Sequence, residues 1–154
     1  MNFAAVALGS NLGPREAHLA FALERLRPLL TDLRVSSWHR TDPVGVGPQP
    51  EFLNGALVGG TSLDARGLLQ RLLEIERERG RERPHPGAPR SLDLDLILFN
   101  EEVIDEPDLR IPHPRFRERL FVLEPLAEIA PDWVDPATNA TVAELLRRRR
   151  KSER

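Results

Sequence analysis

The sequence predicts an α+β fold of the ferredoxin-like kind, an antiparallel sheet with helices on one face in the order β-α-β-β-α-β, extended by a C-terminal hairpin and helical segment. Three observations predict it. Apolar or alternating runs of strand length recur at residues 3–8, 33–40, 52–60 and 91–99. Leucines at helical spacing fill two of the intervals, and Pro- and Gly-rich stretches separate the pieces. Strands and helices in that order make the split βαβ arrangement, which leaves the second sheet face open.

Residues 3–8 run into Gly9-Ser10-Asn11-Leu12-Gly13, and Pro14 follows where a helix accepts proline at its first position. Leu19, Ala22, Leu23, Leu26 and Leu30 keep helical spacing, which predicts a helix over 14–30. A second strand is expected at 33–40. Residues 41–50 carry Pro43, Gly45, Gly47, Pro48 and Pro50, a loop. A third strand, 52–60, leads to a helix opened by Ser62 and Asp64, with Leu68, Leu69, Leu72, Leu73 and Ile75 expected inward and Gly80 as its stop. After a second Pro-rich loop at 81–90, residues 91–99 alternate as a fourth strand. Residues 102–104 return as a short hairpin, 115–130 are mainly helical, and a weak helix over 141–150 ends the chain.

With 154 residues and 17.4 kDa the sequence fits a single domain over 1–154, long enough to bury a core without disulfides or a structural metal. It has no cysteine, which excludes disulfide frameworks, thiolate nucleophiles and Cys-ligated metals. No basic leader and no long apolar run is present, so a cytoplasmic protein with no membrane partner is expected. Of 22 basic residues only Lys151 is a lysine, and the net charge of −2 gives no general attraction for nucleic acid. Without a GxxxxGK[ST] loop, phosphate must be held by arginine forks and metal ions.

The strongest chemical signal is Ser91-Leu92-Asp93-Leu94-Asp95-Leu96-Ile97-Leu98-Phe99. A period of two puts Leu92, Leu94, Leu96 and Leu98 on one face and Asp93 and Asp95 on the other, about 7 Å apart. Two such carboxylates can bridge hard cations whose remaining ligands are waters and phosphates, though a solvated strand face with two ordinary acids has the same pattern. Arg81, Arg83 and Arg90 lie on the loop leading into this strand and can reach anions at its metals, whereas Arg77 and Arg79 read as solvated helix surface. Residues 9–13 can cradle a phosphate at a helix N-terminus or simply turn the chain. Phe52 and Asn54 share a strand face, either as an aromatic plate beside a hydrogen-bonding amide or as core and turn. His113 is fixed between Pro112 and Pro114 ahead of Arg115, Arg117 and Arg119, where it can donate to phosphate. His18 and His39 read as incidental, and the tail 147–154, with Arg147 to Lys151, as a frayed, solvated end.

Together these residues resemble the 6-hydroxymethyl-7,8-dihydropterin pyrophosphokinase family. The likeness rests on Gly9 to Gly13, Arg40-Thr41, Phe52-Leu53-Asn54, Pro89 to Asp95 and Ile111-Pro112-His113-Pro114, and covers about residues 3 to 135. It implies a ferredoxin-like monomer that moves the β,γ-diphosphate of ATP to the pterin hydroxymethyl oxygen and releases AMP. It further implies that Asp93 and Asp95 hold two Mg²⁺ ions and that Glu76, Arg81, Arg83, Arg90, His113 and Arg119 serve ATP, with Arg81 and Arg90 catalytic alongside the two acids. Phe52 and Phe121 would enclose the pterin, Asn54 would bond its polar edge, and Thr41 and Val44 would line its pocket. The sequence departs from the family pattern at His85-Pro86-Gly87-Ala88, where an Arg-Trp pair is common, and at Pro114, where an aromatic is frequent.

Two other classes share parts of this pattern. A nucleotidyltransferase also combines Gly-Ser with DxD, but there the two elements sit close in sequence. A non-catalytic RNA-binding module would stack bases on central-strand aromatics, and two acids on that face oppose phosphate unless a metal intervenes.

Overall fold

A computed structural model of the chain describes residues 1–41, 51–79 and 91–153. The main sheet contains β1 (Asn2–Ser10), β2 (Thr31–Val35), β3 (His39–Thr41), β4 (Phe52–Thr61) and β5 (Asp93–Phe99). Its order is β2-β4-β1-β5, with β3 also on β4, and every pairing is antiparallel. Helices α1 (Arg15–Leu26) and α2 (Ala65–Glu78) follow β1 and β4. A hairpin of β6 (Ile104–Glu106) and β7 (Leu109–Ile111) follows β5, and then come α3 (Leu120–Ile129) and α4 (Val142–Ser152).

One face of the sheet packs Ala4, Val6, Leu8, Leu57, Leu94 and Leu96 against α1 and α2, as expected. The other face is not left open. Ala5, Ala7, Ala56 and Val58 pack there against Val122, Leu123 and Leu126 of α3 and Leu145 and Leu146 of α4. Alanines on the sheet side let α3 approach closely, a signal hidden in the unpatterned apolar run of β1.

Several expected boundaries shift for local reasons. The strand expected at 33–40 is two strands, because Ser36 replaces a ladder bond: its Oγ accepts from the Ala56 amide at 2.9 Å and its own amide donates to the Ala56 carbonyl at 2.9 Å. Trp38 then crosses over Gly55, where a Cβ would lie 2.4 Å from the indole, so only glycine fits. The first helix ends at Leu26 and tightens into a 3₁₀ turn, Arg27–Leu29, with Pro28 inside it. Asp64 caps α2 by accepting from the Gly67 amide at 2.7 Å. Leu73 faces outward and is 38% exposed, against the expected inward position. The return strand lies beyond 102–104, at β6 and β7, and residues 115–130 divide into a 3₁₀ turn, Phe116–Glu118, and α3. The last helix is well made: Thr141 and Glu144 form a reciprocal capping box.

The alternation of β5 also breaks. Register moves by one residue against β1, pairing Ala5 with Leu98 but Val6 with Leu96, so Ile97 is the extra residue of a bulge. Leu98 therefore joins Ile97 in the α3 and α4 core, and Phe99 takes the face predicted for Leu98. Asp93 and Asp95 precede the bulge and keep their shared face.

Asp135, fully buried, anchors the C-terminal layer. It is paired through both oxygens with Arg117, the Nη2 contact being 2.8 Å, and it accepts from Thr138 Oγ1 at 2.7 Å and the Ala137 amide at 3.0 Å. Burial pushes its carboxyl up, but the bonds from Arg117, Thr138 and Ala137 win and hold it below the usual aspartate range. Its stabilising effect is present above the unfolded value near 3.8 and is lost as pH falls through the lower folded value. Replacing Asp135 by Ala leaves Arg117 without its partner. Chemical denaturation at pH 7 is expected to show a loss of ~3 kcal/mol, at the low end for breaking such a pair because Arg117 keeps 27% of its side chain in water.

Candidate active site

Strand register builds the site. Asp93 stands opposite Gly9, Gly9 opposite Asn54, and Asn54 opposite His39, so one row crosses four strands on one sheet face. In the next row Asp95 stands opposite Ala7, and Ala7 opposite Ala56. Paired residues of antiparallel strands point to the same side, so two acids and an amide border a floor of glycine and alanine. Asp93 and Asn54 are two strand spacings, about 10 Å, apart, and the position between them is a glycine.

The gap at Gly9 is required. A Cβ there would meet Asn54 Oδ1 at 2.8 Å and Phe52 Cδ1 at 3.7 Å, which also places Phe52 and Asn54 together over the floor. Asn54 is 6% exposed and donates through Nδ2 to Thr41 Oγ1 at 2.5 Å, which orients its amide. The sequence reading of 9–13 as a turn or phosphate cradle missed this role of Gly9.

At the β5 edge a cavity of about 500 Å³ is lined by Glu76, Asp93, Asp95, His113, Arg110 and Arg119, with Leu69, Leu73 and Leu109 as apolar wall. Glu76 is 2% exposed and its Oε2 accepts from the Leu94 amide at 2.7 Å, tying α2 to the strand that bears the acids. His113 is held by its amide on the Ile97 carbonyl at 2.9 Å. Its Nδ1 accepts from the Arg115 amide at 3.2 Å, so the neutral ring carries its proton on Nε2. Burial first, then Arg119 and Arg115, against Asp93, lower its pKa from 6.5 to about 4. Arg119 extends over the ring of Phe121, 5.5 Å from its centroid.

Asp93, Asp95, Glu76, His113 and Arg119 are thus brought to one cavity, and Thr41, Phe52 and Asn54 to the other end of the same floor. Phe121 lies at the start of α3, beneath Arg119. Val44, Arg81, Arg83 and Arg90 fall outside the described residues. Arg110, Leu69 and Leu73 also line this cavity; the leucines share the apolar spacing of core residues and Arg110 belongs to no motif, so the sequence did not mark them. His18 and His39 are not incidental: His18 Nδ1 accepts from Arg79 Nε at 2.8 Å, and His39 bonds Glu128.

The family description 7,8-dihydro-6-hydroxymethylpterin-pyrophosphokinase (HPPK) matches residues 5–131. The chain belongs to the HPPK family. It is 48% identical over 141 residues to the 2-amino-4-hydroxy-6-hydroxymethyldihydropteridine pyrophosphokinase of Bacillus subtilis, covering 90% of this chain and 84% of that one. To the enzyme of the same name from Synechocystis it is 44% identical over 146 residues, 93% and 74% of the two chains. Among solved structures it resembles a Plasmodium falciparum HPPK-DHPS chain crystallised with pteroate, with a TM-score of 0.76 at 16% identity. That likeness concerns the fold and covers 96% of this chain but 44% of that one, so this HPPK chain spans less than half of the solved protein.

Two outcomes follow for the unliganded HPPK chain. An NMR titration is expected to keep the His113 ring neutral until about pH 4. Because the unfolded imidazole takes its proton near 6.5, the unfolded state binds more protons between the two values, and stability falls as pH drops through that window. Gly9→Ala, by forcing Asn54 aside, is expected to lower stability by about 1–2 kcal/mol in denaturant melts.

Proposed function

We propose that this chain transfers the β,γ-diphosphate of ATP to the hydroxymethyl oxygen of 6-hydroxymethyl-7,8-dihydropterin, releasing AMP, a step of folate biosynthesis. The observation that carries the reading is the row Asp93, Gly9, Asn54, with Asp95 in the next row, which sets two acids and an oriented amide on one sheet face about two strand spacings apart. The core is read as ferredoxin-like, working as a cytoplasmic monomer of one domain.

A flat heterocycle suits the floor. Gly9 gives room for the Asn54 amide, Phe52 and Phe121 offer aromatic faces, and Asn54, held by Thr41, presents a fixed polar edge. Val44 is assigned to the same pocket. The pterin hydroxymethyl group then extends toward the acids.

ATP is assigned to the cavity at the β5 edge. Leu69, Leu73 and Leu109 supply apolar surface for a base. Leu94 turns its amide outward to Glu76, and the two-residue alternation turns the Leu96 backbone to the same edge, where a base can pair with it. At the other end of the cavity, His113 offers its Nε2 proton and Arg119 its guanidinium to phosphate oxygens. A neutral imidazole suits this role, since it donates at every pH above its depressed pKa. Arg81, Arg83 and Arg90 are assigned to the phosphates, Arg81 and Arg90 where charge builds on the transferred group.

Asp93 and Asp95 fit Mg²⁺ by donor type and by their shared face, since this ion commonly takes one or two carboxylates and completes its shell with water and phosphate oxygens. Two bound Mg²⁺ would supply charge neutralisation along the polyphosphate. Asp93 and Asp95 would hold these ions, and Arg119, at the same cavity, would offer its guanidinium to the phosphates as the pterin oxygen attacks the β-phosphorus and AMP leaves.

Asp93→Asn and Asp95→Asn are each expected to reduce pterin-dependent AMP formation by at least about 10²-fold, with circular dichroism unchanged. Full activity in both would remove the acids from the mechanism, and pyrophosphate as the product would replace this reading with nucleotidyl transfer.

A further inference from the structure

Helix α3 runs across the sheet from the β5 edge to the β3 edge. At its start Arg119 lines the cavity beside Asp93, at the β5 edge of the sheet. Near its finish Glu128 reaches the β3 edge: Oε2 accepts from the Ser37 amide at 2.6 Å, and Oε1 from Ser37 Oγ at 2.8 Å and His39 Nε2 at 3.0 Å. His39 is the last member of the row that begins with Asp93. The nine-residue rise from Arg119 to Glu128, about 13 Å, matches the three strand spacings from β5 to β3, about 14 Å. Phe121 and Glu128 are seven residues apart, two helical turns, and therefore lie on nearly the same side of α3.

We infer that Glu128 is a positioning residue for the flat-ring site: by holding Ser37 and His39 it sets where α3, and with it Phe121, lies above the Gly9 and Asn54 floor. The inference rests on the pterin reading proposed above. Nothing else in this cluster needs so many bonds. Glu128 is 38% exposed, as is usual for a surface pair worth little in stability, yet one carboxylate collects three donors from Ser37 and His39, within four residues of Thr41. The Ser37 amide above all, with His39 and the Ser37 hydroxyl, holds that carboxyl below the usual glutamate range. Three donors on a single acceptor define a position in a way one flexible ion pair does not.

The test measures binding of 6-hydroxymethylpterin by its fluorescence, binding of a non-hydrolysable ATP analogue, and steady-state kinetics, on the full chain. Glu128→Ala is expected to weaken pterin binding and raise the pterin KM about tenfold, while ATP-analogue affinity and kcat hold and Tm moves by no more than about 3 °C. Glu128→Gln keeps an acceptor oxygen for Ser37 and His39 and is expected to recover most of the affinity. Should Glu128→Ala fail to fold, His39→Ala removes one of the three bonds and is expected to show the same selective change, about threefold. Pterin affinity equal to wild type in the Ala variants, or pterin and ATP affinities falling together with Tm, would overturn the positioning role. If the wild-type chain binds ATP but no pterin, the proposed function fails and the inference falls with it.

Discussion

The pairing of β1 with both β4 and β5 is the constraint on which the site depends. A one-residue slip on either side would turn Asp93 or Asn54 to the opposite face, into the α1 and α2 core, because side chains alternate strictly along a strand. Register here is specified by burial: Ala4, Val6 and Leu8 fit one core, Ala5 and Ala7 the other, and neither set tolerates exchange. Gly9 and Ser10 then fall at the end of β1 with no freedom of choice. The same hydrophobic alternation that folds the sheet lays out the row of functional groups.

Charge around that row is sorted by support. Glu76 bonds a backbone amide and Asp135 bonds Arg117, so each deeply buried acid has a partner within the fold. Asp93 and Asp95 are half-buried at the cavity wall. Arg117 and Arg119 are two residues apart and serve different ends, the first locking the C-terminal layer and the second lining the cavity over Phe121. His113 is held neutral by burial first and then by Arg119 and Arg115, against Asp93, a donor whose proton does not depend on ambient pH near neutrality.

Much of this was legible in the sequence, and what was not has identifiable causes. The acids of β5, the apolar faces of α1 and the order of strands and helices follow from periodicity, which reports local geometry directly. The covered second face was hidden because its sheet residues are alanines, whose small side chains give no strand or helix signature, and because the helices that cover it come from the far end of the chain. The split of the second strand depends on a serine hydroxyl standing in for a ladder bond and on Trp38 lying across Gly55, neither of which has a period. Gly9 looked like turn chemistry since a missing side chain announces nothing about the neighbours that need its space. Likewise His39 and Glu128, distant in sequence, become partners only through register.

The bulge at Ile97 has a consequence for how this architecture can vary. It resets the phase of β5, so the half of the strand that bears the acids and the half that leads into the β6–β7 hairpin answer to separate packing demands. Insertions or deletions beyond Phe99 can be absorbed by the loop and hairpin without rotating Asp93 and Asp95 away from the floor. The acid-bearing half of the strand is thereby buffered from length changes downstream, and Pro107 to Arg110, which line one wall of the cavity, are carried by the hairpin and not by the strand that bears the acids.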